Sequence, residues 1–168
     1  MDAEVITVGV DGSKSSSTAL GFAVEEARRR QCTLRVVTAW QPATVYRVDG
    51  GSLFKEERAA YEKKARELQD RAVRDVAGEG SELPDIDRMV VQGEPGGALV
   101  ELSRDAALLL VGTVHKGILK RAAVGSTSHY CVRHSRVPVV VVPFVTEAHA
   151  QDEESRSPKL EAGSGPVV

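Results

Sequence analysis

Four almost unbroken apolar runs dominate this chain: "VITVGV" at 5–10, "TLRVVTAW" at 33–40, "LLLVGT" at 108–113 and "PVVVVP" at 138–143. A strand with one wet face alternates apolar and polar residues. These runs barely alternate, so each needs cover on both faces, which a parallel sheet layered between helices provides. A weaker run, "DRMVVQG" at 87–93, makes a fifth.

Helical patterns fill the gaps. Residues 15–30 carry Ala19, Phe22, Ala23 and Ala27 on one expected inner face, and end in Arg28, Arg29 and Arg30, where the helix dipole favours cations. Residues 53–77 space Tyr61, Ala65, Leu68, Ala72 and Val76 by threes and fours. Pro95 opens a short helix in "PGGALVELSRD", at the first-turn position that proline favours. A last helix is expected from about Ser126 to His134. The order βαβαβαβαβ predicts an α/β fold: an open parallel sheet of five strands, helices on both faces, right-handed crossovers.

Residues 1–145 read as one domain. Residues 146–168 hold five acids against two bases and almost nothing to bury, so an acidic, disordered tail is expected there. The stretch 41–52, "QPATVYRVDGGS", reads as a flexible connection. The whole chain is net −2, so the part before the tail is net +1, too weak a balance for a nucleic-acid or membrane-surface partner. The start "MDAEVITVGV" lacks the positive region of a signal peptide, and no run reaches transmembrane length. Cys32 and Cys131 are far apart, without metal-site spacing. A cytoplasmic location is expected.

Open α/β sheets bind ligands beyond the carboxyl ends of their strands. Three such ends carry signals. In "VGVDGSKSS" (8–16), Val10 and Asp11 leave a strand into Gly12 and Ser13; alone, this is a turn with a serine cap. In "TAWQPA" (38–43), Ala39 sits where a backbone edge meets a planar ring; alone, it is a strand end. The third, "VGTVHKGILKRAAVGSTS" (111–128), is richer. Gly112 ends a strand. Gly125, Ser126, Thr127 and Ser128 start a helix, where free amides and the dipole favour phosphate. Lys116, Lys120 and Arg121 add positive charge. A glycine pair in a βα loop is ordinary, but glycines, hydroxyls and bases together at a ligand edge point to an anion site. The chain has no G-x-x-x-x-G-K-[ST] and no G-x-S-x-G. His115, His129, His134 and His149 form no metal-type cluster, and no acid–base pair is placed for catalysis.

Together, "VGVDGSKSSSTAL", "VVTAWQP", "VVQGEPGGALVEL" and "LLLVGTVHKG…VGSTSHYCVRHSRVPVVVVP" resemble the universal stress protein family over about residues 3–143. Its nucleotide-binding branch carries G-x2-G-x9-G-[ST]. Gly112, Gly125 and Ser126 fit that pattern, and His115 stands at the second glycine. The resemblance implies strand order 3-2-1-4-5 and ATP at the strand ends, with Mg2+ held through its phosphates. It also implies a homodimer through the last strand, acting on a protein partner. Val10 and Asp11 would lie near adenine and ribose, with the adjoining Gly12 and Ser13. Ala39 would meet the adenine edge and Val111 would wall the ring. Gly112, His115, Gly125, Ser126 and Thr127 would hold ribose and phosphates. Retained ATP binding is expected, because histidine tolerates left-handed backbone better than most residues and Gly117 lies two positions on. The alternatives are a nucleotide-free dimeric interaction protein with His115 marking a lost site, and a slow ATPase.

Overall fold

The computed structural model describes residues 4–41, 55–77, 82–113 and 125–144, with only the backbone of 55–57. The connection beyond Gln41, His115, Lys116, Gly117, Lys120, Arg121 and the acidic tail lie outside the described residues. Among the described residues nine elements alternate: β1 (Val5–Gly9), α1 (Lys14–Arg30), β2 (Thr33–Trp40), α2 (Lys55–Ala77), β3 (Ile86–Gln92), α3 (Pro95–Leu102), β4 (Leu108–Gly112), α4 (Ser126–His134) and β5 (Val139–Val142). The five strands form one sheet in the order β3-β2-β1-β4-β5. Every pairing is parallel. The helix count and the layering agree with the apolar and helical patterns of the sequence, and the strand order with what the family resemblance implies.

Sequence-local chemistry sets the helix ends. Ser13 caps α1: its side chain accepts from the Ser16 amide at 3.1 Å. At the far end Gln31 takes a left-handed φ of 54°, and its amide returns to the carbonyls of Ala27 and Arg28. Glu94 caps α3 by accepting from the Gly97 amide at 2.8 Å. Gly125 precedes α4 and supplies no side-chain cap.

Two apolar clusters lie on opposite faces of the sheet. Ile6, Val8, Leu34, Val36 and Leu110 meet α1 and α2; Val37, Leu109 and Val111 meet α3 and α4. The inward stripe of α1 is Ala19, Leu20, Ala23, Val24 and Ala27. Phe22 is therefore a correction: it is 46% exposed and not in the core. The 3.6-residue period that points residues 19, 20, 23, 24 and 27 inward turns position 22 outward. On α2, Ala65, Ala72 and Val73 are buried, and so is Gln69, whose Nε2 donates to the carbonyls of Val36 and Met89 at 3.0 Å each. Under α3, Arg35 joins three segments. It donates to Asp87 at 2.9 Å, to Asp105 at 2.6 Å and to the Leu102 carbonyl at 2.8 Å. No helix among the described residues is long and apolar enough to cross a membrane.

Candidate functional site

The strand order reverses between the central strand β1 and its neighbour β4, so the connections leave toward opposite faces and open a crevice at their carboxyl ends. The register levels those ends: Gly9 pairs with Val37, Val8 with Leu110, and Gly112 with Val142. A cavity of about 430 Å³ occupies the crevice. That size lies within the usual range for small-ligand sites.

One part of its wall is apolar: Val37, Leu99 and Val111, with Ala39, Pro95 and Phe144. The other is polar and comes from two helix starts. Asp11, Ser13, Lys14, Ser15 and Ser16 line it from β1 and α1, and Gly125, Thr127 and Ser128 from α4. Of the residues expected from sequence, Val10, Asp11, Ser13, Ala39, Val111, Gly112, Gly125 and Thr127 all line this one cavity. Gly12 and Ser126 border it without lining it, and His115 lies outside the described residues.

Gly12 serves the turn itself. Its φ is +80°, and an added Cβ would come within 2.9 Å of the Leu68 side chain. Gly112 serves close packing. A Cβ there would meet Ser15 Oγ at 2.5 Å and the Ser15 backbone at 2.7 Å, so the space its missing side chain frees is filled by the first turn of α1. The Ser15 hydroxyl donates to the Thr113 carbonyl, which fastens α1 to the end of β4. Thr113 in turn accepts from the Phe144 amide at 3.2 Å through its hydroxyl, and its own amide donates to the Val142 carbonyl at 3.1 Å.

Most hydroxyls of the polar wall are already committed. The Ser16 hydroxyl donates to the Ser13 carbonyl, the Ser13 hydroxyl accepts from Ser16, and the Ser128 hydroxyl donates to the Gly125 carbonyl. The Thr127 hydroxyl and the amides of Ser126, Thr127 and Ser128 have no partner among the described residues. Uncommitted amides at a helix start bind anions. Asp11 accepts from the Ser13 amide at 2.9 Å. Burial pushes its carboxyl up, but bonds from Ser13, Ser16 and its own amide outweigh that and hold it below the ordinary 3.8. It is an anion at neutral pH, an acceptor suited to hydroxyls of a ligand.

Leu99, Pro95, Thr113, Phe144 and Lys14 are site residues that the sequence reading missed. Leu99 and Phe144 arrive from α3 and from beyond β5, and no local signal marks them. Lys14 follows the quoted Asp-Gly-Ser directly, and its position at the start of α1 was the available clue.

Comparison with known proteins agrees with this architecture. The profile of the Universal stress protein family matches residues 3–143. Universal stress protein Rv2005c of Mycobacterium tuberculosis is 33% identical over 138 residues, covering 81% of this chain and 44% of that protein. The chain thus spans about half the length of the curated relatives it matches. Universal stress protein UspA from Lactobacillus plantarum superposes with a TM-score of 0.67 at 23% identity, over 84% of this chain and 99% of that one. A universal stress protein solved in complex with cAMP superposes with a TM-score of 0.53 at 28% identity, over 84% of this chain and 97% of that one. With the family profile matched across nearly all of its described residues and the parallel 3-2-1-4-5 sheet in place, this chain belongs to the universal stress protein family.

Proposed function

We propose that the cavity at the β1–β4 crevice binds an adenine nucleotide, ATP foremost, and that the protein is a stress-response regulatory module that reports nucleotide occupancy to a protein partner. The observation that carries this reading is the joining of an apolar slot, Val37, Leu99 and Val111, to an uncapped helix start at Gly125 within one cavity. A flat, weakly polar ring suits the first and a phosphate the second. The relative solved with cAMP holds a ligand of that chemical kind. Asp11 is placed to accept from ribose hydroxyls, and Thr127 with the α4 amides to donate to phosphate. Among the described residues no group of three His, Cys, Asp or Glu side chains is gathered for a metal, so Mg2+ would arrive on the phosphates of ATP. Among the described residues that line the cavity Asp11 is the only carboxylate, and its bonds to the β1–α1 turn hold it as an acceptor, which favours holding over turnover.

The proposed assembly is a homodimer through β5. This strand ends the sheet, and Val139, Val140 and Val141 are only half-buried along an edge that needs cover.

The test is titration calorimetry of ATP, with mass spectrometry of the supernatant after denaturing freshly purified protein. Co-purified adenine nucleotide and micromolar to sub-millimolar ATP binding are expected. No nucleotide and no binding at millimolar ATP would make the nucleotide-free dimeric interaction protein the better reading. Turnover of bound ATP above buffer would move it to a slow ATPase.

A further inference from the structure

The last rung between β4 and β5 is made in an unusual way. Along this pair Leu109 faces Val139, and its amide donates to the Pro138 carbonyl, one residue before its partner. Gly112 faces Val142, so Thr113 comes next, and its amide donates to the Val142 carbonyl at 3.1 Å. The same ladder would bring the Phe144 amide to the Thr113 carbonyl. That carbonyl accepts from the Ser15 hydroxyl at the start of α1, and the Phe144 amide donates to the Thr113 hydroxyl instead, at 3.2 Å. A side chain replaces a backbone acceptor where the chain leaves the sheet. Ser15, Thr113 and Phe144 all line the cavity, so this rung lies in its wall.

We propose that the Thr113–Phe144 rung is a latch that couples the crevice to the end of β5: a ligand filling the cavity holds the rung closed, and the order gained there is what a partner reads. Thr113 acts through Phe144 and is a positioning residue. The inference rests on the nucleotide reading above and adds how occupancy reaches the surface. With the rung open, the apolar wall loses the bond that seats Phe144. A ligand packed on that wall binds the closed form more tightly, and by the same factor it favours the closed form. Because β5 ends the sheet, the change appears at an edge where another chain can meet it.

The experiment is amide hydrogen exchange of the full chain followed by NMR, without and with saturating ATP, beside calorimetric titration of ATP. Wild type, Thr113→Val and Thr113→Ser are compared, with thermal melts to confirm folding. In wild type, ATP is expected to slow exchange of the Phe144 amide by roughly tenfold, a common size for coupled sites. Thr113→Val trades the hydroxyl for a methyl of similar size. Its ATP affinity should fall by the factor by which ATP slows wild-type exchange, because both report one coupling free energy. Thr113→Ser keeps the hydroxyl and should retain both effects. A purely structural role for Thr113 would give no ATP-dependent protection at Phe144. ATP binding without slower Phe144 exchange overturns the inference and leaves the nucleotide reading standing, and so does an unchanged affinity in Thr113→Val. If the valine variant does not fold, wild-type exchange decides alone. Absence of ATP binding to wild type at millimolar concentration would overturn both.

Discussion

Replacing Gly112 with alanine tests whether the site is built on one contact between β4 and α1. The new Cβ would lie 2.5 Å from Ser15 Oγ and 2.7 Å from both the carbonyl carbon and oxygen of Ser15. Ordinary van der Waals contact needs about an ångström more. The obstructing atoms include backbone of a helical first turn, so no rotamer change removes the clash, and the start of α1 must move away from the strand. Overpacking of this kind costs about 1–3 kcal/mol, and separating the Ser15 hydroxyl from the Thr113 carbonyl adds about 1 kcal/mol. The expected loss is about 2–4 kcal/mol. At roughly 2–4 °C per kcal/mol for a chain of this size, that lowers Tm by about 4–16 °C. Gly9→Ala is the matched control. Its Cβ would meet Leu99 Cδ1 at 2.8 Å, but that is the end of a rotatable side chain, so the loss should stay below about 1.5 kcal/mol. Urea unfolding followed by circular dichroism measures both. Because Ser15 and Gly112 both line the cavity, nucleotide affinity should fall with Gly112→Ala as well. A Gly112→Ala loss under about 1 kcal/mol, or one no larger than that of Gly9→Ala, would refute the packing argument.

Three further outcomes are expected. Gln69→Leu should cost roughly 2 kcal/mol in a thermal melt, because the buried carbonyls of Val36 and Met89 lose a shared donor that a leucine cannot replace. Cys131 is fully buried and burial pushes its thiol up to about 11, so iodoacetamide at pH 8 should label it only at the rate of unfolding; rapid labelling of the native protein, read by mass spectrometry, would contradict that. Asp11 has a lowered pKa, so its contribution to stability is full above the ordinary 3.8 and is lost as pH falls through the lowered value; Asp11→Asn should flatten that part of the acid-unfolding curve, and an unchanged curve would count against the hydrogen-bonded carboxylate.

The fold was legible because its signals are local and redundant. The runs in β1, β2, β4 and β5 lack alternation, which already demands two-sided cover, and the four helical patterns between them supply it. Helix boundaries followed too: α4 runs from Ser126 to His134 as the spacing indicates, since Gly125 stops a helix from starting earlier. Phe22 shows the limit. A large apolar residue among Ala19, Ala23 and Ala27 looks like the anchor of an inner face, yet the inward stripe continues through Leu20 and Val24 and leaves position 22 outside. Periodicity fixes which residues share a stripe; which stripe is inward depends on the depth of the partner surface, and that is a tertiary quantity.

The site was legible as a place more than as a set of roles. Residue types at strand ends and helix starts were enough to gather Asp11, Ala39, Val111, Gly112, Gly125 and Thr127 around one cavity. Their chemistry is divided differently from what composition indicates. Counting serines overstates the donors, since the hydroxyls of Ser15, Ser16 and Ser128 are used to close turns and to bind strand to helix. Such a hydroxyl is worth more to the fold, where it satisfies a carbonyl partly removed from water, than to a ligand that is present only part of the time. The same logic explains Gly112, whose absent side chain admits Ser15. Among the described residues, what the fold leaves uncommitted for an anion includes the first amides of α4, the Thr127 hydroxyl and the hydroxyl proton of Ser13, which only accepts from Ser16. Gly125, which has no side chain to cap those amides, is consequently the residue that keeps them available. A serine or aspartate there would stabilise α4 by only about a few tenths of a kcal/mol relative to this glycine, and its side chain would close part of the donor set that the cavity presents.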